Sequence, residues 1–251
     1  MSTKDPIDWN ALDYLGFAKL ATDDRLSKYE KIGFPDSYRA GREEAIFADI
    51  RTKLPRLGER GLDVMDIGPG CSDLPIMLIE CCRAQGHRLH LIDSPEMLAQ
   101  LPDAPFLDKR PGLFPKCRAD LADLSGKIDV MLSYSVLHYV FADANPFDFV
   151  DACVELLAPG GELLIGDVPN VSKRMRFFSS AAGVAFHRAF TGEDTLPEVS
   201  FNVPAPGKID DATVLGLVAR ARAAGVDAYV LPQPPTLPMH NRREDILMSK
   251  P

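Results

Sequence analysis

The run Leu62-Asp63-Val64-Met65-Asp66-Ile67 stops at Gly68-Pro69-Gly70, and a helical pattern follows from about Asp73 to Gln85. A short apolar run that ends in a glycine turn and feeds a helix reads as the first βα unit of an open α/β sheet. The turn needs glycine torsions, and the helix it opens presents free N–H groups that attract an anion. The rest of the chain continues the same alternation. Strands are expected at Leu89–Asp93, Lys116–Leu121, Ile128–Tyr134, Glu162–Asp167, Asp227–Leu231 and Asp245–Ser249. Helices are expected after Ser94-Pro95-Glu96, over Pro146–Leu157 and over Asp211–Ala224. Strands alternating with helices form a mostly parallel sheet covered on both faces. The last two strands are joined through Pro232, Pro234, Pro235 and Pro238, with no room for a crossover helix, so the final strand is expected to be antiparallel.

Two segments stand outside this alternation. Residues 1–57 read as an N-terminal helical extension or lid, helical from Trp9 and broken near Gly33-Phe34-Pro35. Within it Ala45, Ile46, Ile50 and Leu54 share one face at helical spacing, and Tyr29, Phe34 and Tyr38 are candidates to close over a ligand. Residues 58–251 form the main domain, in which 171–208 is an insert carrying Phe177, Phe178, Phe186, His187 and Phe190. Inserts at strand C-terminal ends are where α/β proteins build substrate pockets.

The charges around the glycine turn narrow the ligand. A dinucleotide fingerprint wants a third glycine at the position of Asp73, and Asp66 at the strand end would repel a pyrophosphate. The same Asp66 can hold an ammonium group. Asp93, ending the next strand and followed by Ser94, can accept ribose hydroxyls. In Ala119-Asp120-Leu121, Asp120 could accept from an adenine amino group while Leu121 packs on the ring. Ser133-Tyr134-Ser135-Val136-Leu137-His138-Tyr139 follows the strand beside the switch point of the sheet.

Taken in order, VMDIGPG, LHLIDS, the ADL step, IDVMLSYSVLHYV and LLAPGGELLIGDV resemble the class I (Rossmann-like) S-adenosylmethionine-dependent methyltransferases over roughly residues 62 to 168. The resemblance implies a seven-stranded, mostly parallel sheet with an antiparallel last strand. It also implies S-adenosyl-L-methionine as cofactor, held by Asp66, Gly68, Gly70, Asp93, Ser94, Asp120, Leu121, Ser133 and Tyr134. Ser72 departs from the pattern, since many members carry a third glycine there. More loosely, KIGFPDSYRAGREEAIFADI and NRREDIL are similar to bacterial methyltransferases associated with polysaccharide biosynthesis.

The implied reaction is methyl transfer to a small-molecule or sugar-like acceptor, with O-methylation ahead of N-methylation. His138 is the first candidate for a base, oriented by Asp167; the alternative is a packed histidine bonded to a backbone carbonyl. His187, Arg174 and Tyr38 are candidates for acceptor binding. A nicotinamide-dependent oxidoreductase and a non-catalytic cofactor-binding module remain as alternatives.

A net charge of -8, with Lys173, Arg174 and Arg176 as the densest basic stretch, argues against a nucleic-acid partner. No apolar run reaches the ~20 residues of a membrane helix. The five cysteines include no CxxC pair, so neither a metal site nor a disulfide framework is expected. A cytoplasmic location fits this composition, and a homodimer is compatible with it.

Overall fold

The structure is a computed structural model and describes residues 12–203 and 205–251; the expected helical start at Trp9 lies outside them. Before the sheet the described residues form the α-helices α1 (Tyr14–Ala21), α2 (Lys28–Lys31), α3 (Asp36–Arg39) and α4 (Glu43–Lys53), then a 3-10 turn at Pro55–Gly58. Asp13 caps α1 by accepting from the Gly16 N–H, and Ser27 and Glu30 form a reciprocal capping box on α2. The helical pattern expected after Gly33-Phe34-Pro35 is interrupted between Arg39 and Glu43, so the chain bends there. Ile46, Ile50 and Leu54 are nonetheless fully buried, as their spacing requires.

The alternating region follows: β1 (Asp63–Ile67), α5 (Asp73–Gln85), β2 (Arg88–Asp93), α6 (Pro95–Leu98), β3 (Leu107–Pro111), β4 (Ile128–Tyr134), α7 (Leu137–Asp143), α8 (Pro146–Leu156) and β5 (Leu157–Pro169). The insert supplies α9 (Val171–Phe178) and α10 (Ala181–Thr191), and α11 (Asp211–Ala223), β6 (Asp227–Pro232) and β7 (Arg243–Ser249) complete the domain. The strands form one seven-stranded sheet in the order β3-β2-β1-β4-β5-β7-β6. β1 to β5 pair in parallel, and β7 runs antiparallel between β5 and β6. This is the methyltransferase Rossmann-like α/β fold.

One expected strand is wrong. Lys116–Leu124 is a 3-10 helix, and the edge strand is Leu107–Pro111. That strand pairs only with β2, so its side chains are half-exposed and its sequence is charged instead of apolar. β5 also begins five residues early: α8 stops at Leu156, and Leu157–Gly161 already belong to the strand, with an irregular register and a left-handed Gly160.

Two hydrophobic layers cover the sheet. One packs Phe149, Cys153, Leu217 and Ala221 of α8 and α11 against Met131, Leu163 and Ile246. The other packs Ile46, Ile50, Leu78 and Ile79 of α4 and α5 against Val64, Leu91 and Leu132. Cys82 and Cys153 are core residues.

Under the second layer lies a buried charge. Asp245, 0% exposed in the middle of β7, takes the Lys53 ammonium at 2.6 Å, the Asp167 N–H at 2.8 Å and Gln233 Nε2 at 3.0 Å. Burial raises its carboxyl above the usual range, against the pull of Lys53. Removing the cation would strand that carboxylate, so Lys53→Met is expected to lower the unfolding free energy by about 3–5 kcal/mol. Asp245, left without a counter-charge, would titrate higher in the fold than in the unfolded chain, so the loss deepens as pH rises. Urea unfolding at pH 5 and pH 8 checks both the size and the sign.

Candidate functional site

A cleft holding about 1110 Å³ of empty space, counted out to its open mouth, lies over the C-terminal ends of β1, β2 and β4. Its floor is Ile67, Gly68, Pro69 and Gly70 from the turn after β1, with Ile92 and Asp93 from β2. Met97 and the loop Gly112–Lys116 form one wall, and Tyr134, Ser135, Val136 and Tyr139 form another. Tyr14, Phe17, Ile32, Phe34 and Arg39 close it from the N-terminal segment. Ligands of open α/β sheets bind at such a place, outside the strand ends where the strand order reverses.

Steric constraint fixes the floor. Gly68 has φ +72° and Gly70 φ +65°. A Cβ on Gly68 would lie 2.5 Å from Val136 Cγ2, and one on Gly70 would lie 2.6 Å from Ile32 Cγ2. The turn thus needs glycine for its torsions and for the close approach of the β4 loop and the N-terminal segment.

Two acidic residues bracket this turn. Asp93 lines the cleft and accepts from the Gly70 N–H at 3.1 Å and the Ser94 N–H at 2.7 Å. Burial pushes its carboxyl up to about 6, although those two N–H groups pull it down. Asp66, 3% exposed and next to the cleft residue Ile67, makes no side-chain hydrogen bond or ion pair among the described residues. Burial, and then the neighbouring Asp93 charge, push it up to about 8. A carboxyl held this way is suited to an incoming cation.

The other expected site residues divide. Tyr134 lines the cleft, whereas Ser133 is buried beneath it and donates to the Ile67 carbonyl at 3.2 Å, tying β4 to the turn. Ser94 is buried, and its hydroxyl caps α6 by accepting from the Met97 N–H. Asp120 and Leu121 fall on the 3-10 helix and off the cleft. Leu121 is a core residue, and Asp120 is exposed, with its carbonyl taking Arg110 at 3.3 Å. The wall they were expected to form comes from Gly112–Lys116.

His187 sits on α10 with Nε2 3.2 Å from Thr195 Oγ1, Arg174 lies 5.5 Å from the Phe178 ring centroid, and Tyr38 is exposed. None of the three lines the cleft. Tyr29 turns instead to Asp73, donating to Oδ2 at 3.0 Å beside the Lys28–Asp73 ion pair.

His138 is half-buried behind the cleft wall, its ring against Tyr139 at 4.0 Å, with Nδ1 buried and unpartnered. Burial, reinforced by Arg243, pushes it down to about 3, so the imidazole is neutral near pH 7 and a weak proton acceptor. Asp167 is buried one strand away. It accepts from Ser135 Oγ at 2.5 Å and from Arg243 Nη1 at 3.1 Å. Ser135 and Asp167, at the ends of adjacent strands, both adopt left-handed backbone, with φ 61° and 59°. Such torsions cost free energy in non-glycine residues and cluster at functional sites.

Sequence reasoning passed over Ser135 and Arg39. Ser135 sat within the quoted motif. Arg39 carried no local signal, because the burial of a charged side chain is decided by distant packing.

Two outcomes follow from this geometry. Gly68→Ala is expected to cost roughly 1–2 kcal/mol for the left-handed backbone alone, plus the collision with Val136. Val136→Ala in the same chain should return the collision part in thermal unfolding, and no recovery would mean that the contact is not the constraint. For His138, nitrogen chemical shifts followed from pH 8 to pH 5 should show no protonation, in contrast to an ordinary histidine near 6.5.

No protein-family model matches this chain, and no curated protein matches it by sequence. Solved structures do match in shape. One from Methanococcus maripaludis, described as a candidate S-adenosylmethionine-dependent methyltransferase, superposes with a TM-score of 0.53 at 16% identity, covering 100% of this chain and 97% of its own. A similarly described protein from Listeria monocytogenes gives 0.54 at 18% identity over 83% of this chain and 98% of that one. A Haloferax volcanii protein described as a candidate methyltransferase, solved with the Trm112 methyltransferase activator, gives 0.53 at 14% identity over 94% and 97%. The chain therefore has the Rossmann-like α/β fold found in proteins described as S-adenosylmethionine-dependent methyltransferases.

Proposed function

We propose that the protein transfers a methyl group from S-adenosylmethionine to a small-molecule acceptor, with oxygen as the receiving atom. The observation that carries this reading is the pairing of a glycine turn with two carboxylates, the half-buried Asp93 lining the cleft and the buried Asp66 without a partner among the described residues. The donor set fits that cofactor. Asp93 would hold ribose hydroxyls, and Asp66 would answer the ammonium of the methionine part. Ile92, Met97, Leu113 and Phe114 offer apolar surface for the adenine. A pyrophosphate would meet the Asp93 carboxylate as a like charge, which disfavours a nicotinamide cofactor.

When bound, the cofactor supplies an electrophilic sulfonium methyl, so the protein's task is to orient the acceptor and exclude water. Phe17, Ile32 and Phe34, with Tyr14, would form the lid that keeps water out and limits the acceptor to a small molecule; a sugar-like compound fits this description. Tyr134, Ser135 and Tyr139 would orient it. Burial pushes the Tyr139 phenol up to about 12, so it remains a donor at neutral pH. For a hydroxyl acceptor, Ser135 is placed to take a hydrogen bond while its own proton is held by Asp167. His138, expected as the base, would serve as a neutral positioning residue behind Tyr139.

Calorimetry with S-adenosylhomocysteine and with NADH tests the cofactor, and transfer of tritium-labelled methyl to a panel of small hydroxyl compounds tests the reaction. Binding of NADH with no binding of S-adenosylhomocysteine would sink the proposal. The pH dependence is a sharper check. If Asp66 must ionise to pair with the ammonium, affinity for S-adenosylhomocysteine rises between about pH 6.5 and about pH 8, by up to about tenfold per unit. Asp66→Asn should weaken binding and flatten that slope. A slope that survives the substitution would remove Asp66 from the site.

A further inference from the structure

Arg39 is the most unusual charge in the cleft. It is 4% exposed and lines the cavity, yet among the described residues it has no carboxylate within ion-pair distance. Among the described residues its one hydrogen bond runs from Nη2 to Ser135 Oγ at 3.0 Å, and its Nε is buried with no partner. The guanidinium lies 4.6 Å from the Phe34 ring centroid and 5.6 Å from that of Tyr134. These faces hold the planar cation in place without neutralising it.

Glu43, four residues along the chain, makes no ion pair with Arg39 among the described residues. It is buried, its two carboxyl oxygens lack hydrogen-bond partners, and burial raises its pKa. Ser72, Arg39 and the Leu74 N–H lie close enough to temper that rise without bonding to it in good geometry. Ser135 is itself committed to Asp167, which Arg243 already neutralises. The Arg39 guanidinium beside Ser135 is therefore left without an ion-pair partner among the described residues, and it faces the cleft. A buried cation with an orphaned N–H is costly unless an anion arrives.

We propose that Arg39 is a carboxylate-binding residue, the charged anchor for the ligand end that lies beside Ser135. The carboxylate is supplied either by the amino-acid part of the cofactor or by an acidic methyl acceptor. The inference rests on the methyl-transfer reading for the identity of these ligands, though not for the existence of the anion site. Guanidinium and carboxylate form short, charge-assisted hydrogen bonds, and the loss of such a pair weakens binding by about ten- to a hundredfold.

The test is calorimetric and needs no turnover. Wild type, Arg39→Gln and Arg39→Lys are titrated with S-adenosylhomocysteine, with 5′-methylthioadenosine, which lacks the amino-acid part, and with benzoate in the presence and absence of S-adenosylhomocysteine. If the cofactor supplies the carboxylate, Arg39→Gln weakens S-adenosylhomocysteine at least about tenfold, moves methylthioadenosine less than about twofold, and Arg39→Lys recovers part of the loss. If the acceptor supplies it, S-adenosylhomocysteine is unaffected, and benzoate binding to the loaded protein disappears in Arg39→Gln. Equal losses for S-adenosylhomocysteine and methylthioadenosine would mark a merely structural arginine and overturn the proposal. Unchanged affinities for S-adenosylhomocysteine and benzoate would overturn it too. Should wild type bind no S-adenosylhomocysteine, the methyl-transfer reading falls on its own. Benzoate alone then decides: binding lost in Arg39→Gln supports the anion site, and binding unchanged or absent from wild type ends it.

Discussion

The hydrogen bond from the Gly70 N–H to the Asp93 carboxylate joins the turn after β1 to the end of β2. Much of the cleft depends on this link. It holds the turn open over the strand ends and fixes Asp93 where a ligand can reach it. Because Gly68 and Gly70 leave no room for a Cβ, Val136 and Ile32 can close against the same few atoms. Three distant parts of the chain, the N-terminal helices, the β1 turn and the β4 loop, are thereby brought to one place. Ser133 reinforces the arrangement from below through its bond to the Ile67 carbonyl.

Around that link the interior holds charge that it does not neutralise. Asp66, Glu43 and Arg39 are all nearly inaccessible, and none has a full set of partners. The comparison with Asp245 is instructive. It is as deeply buried, yet Lys53, Gln233 and a backbone N–H satisfy it, as a structural carboxylate requires. The two kinds of buried charge differ in what completes them. Asp245 is completed by the fold, while Asp66 makes no side-chain bond among the described residues and Arg39 keeps an unpartnered Nε. Stability is sacrificed at such positions in favour of binding.

Most of the sheet was legible in the chain because its strands are buried on both faces and punctuated by glycine or proline. β4 and the start of α5 fall where periodicity put them, and α11 ends within one residue of the expected place. The edge was not legible. Leu107–Pro111 is charged because Asp108 reaches His90 and Arg110 reaches Asp123, contacts that local pattern cannot foresee. Lys116–Leu121 looked extended but coils into a 3-10 helix, taking Asp120 away from the cleft. At the site the same distinction holds. Gly68, Gly70 and Asp93 belong to a local strand–turn–helix grammar. Arg39 and Ser135 depend on contact across 96 positions of sequence.

The polar groups behind the cleft explain why a histidine in a promising position makes a poor base. His138 lies at the start of α7, shortly after β4, but burial and then Arg243 disfavour its charged form. The same Arg243 bonds the Asp167 carboxylate, so the cation that silences the histidine also holds Asp167 against Ser135. A proton placed on His138 would add a second cation beside Arg243. In-line methyl transfer asks little proton chemistry of a protein and much positioning. The left-handed backbone at both Ser135 and Asp167 fits that demand: two strand ends held in costly torsions so that one hydroxyl faces the cleft at a fixed place.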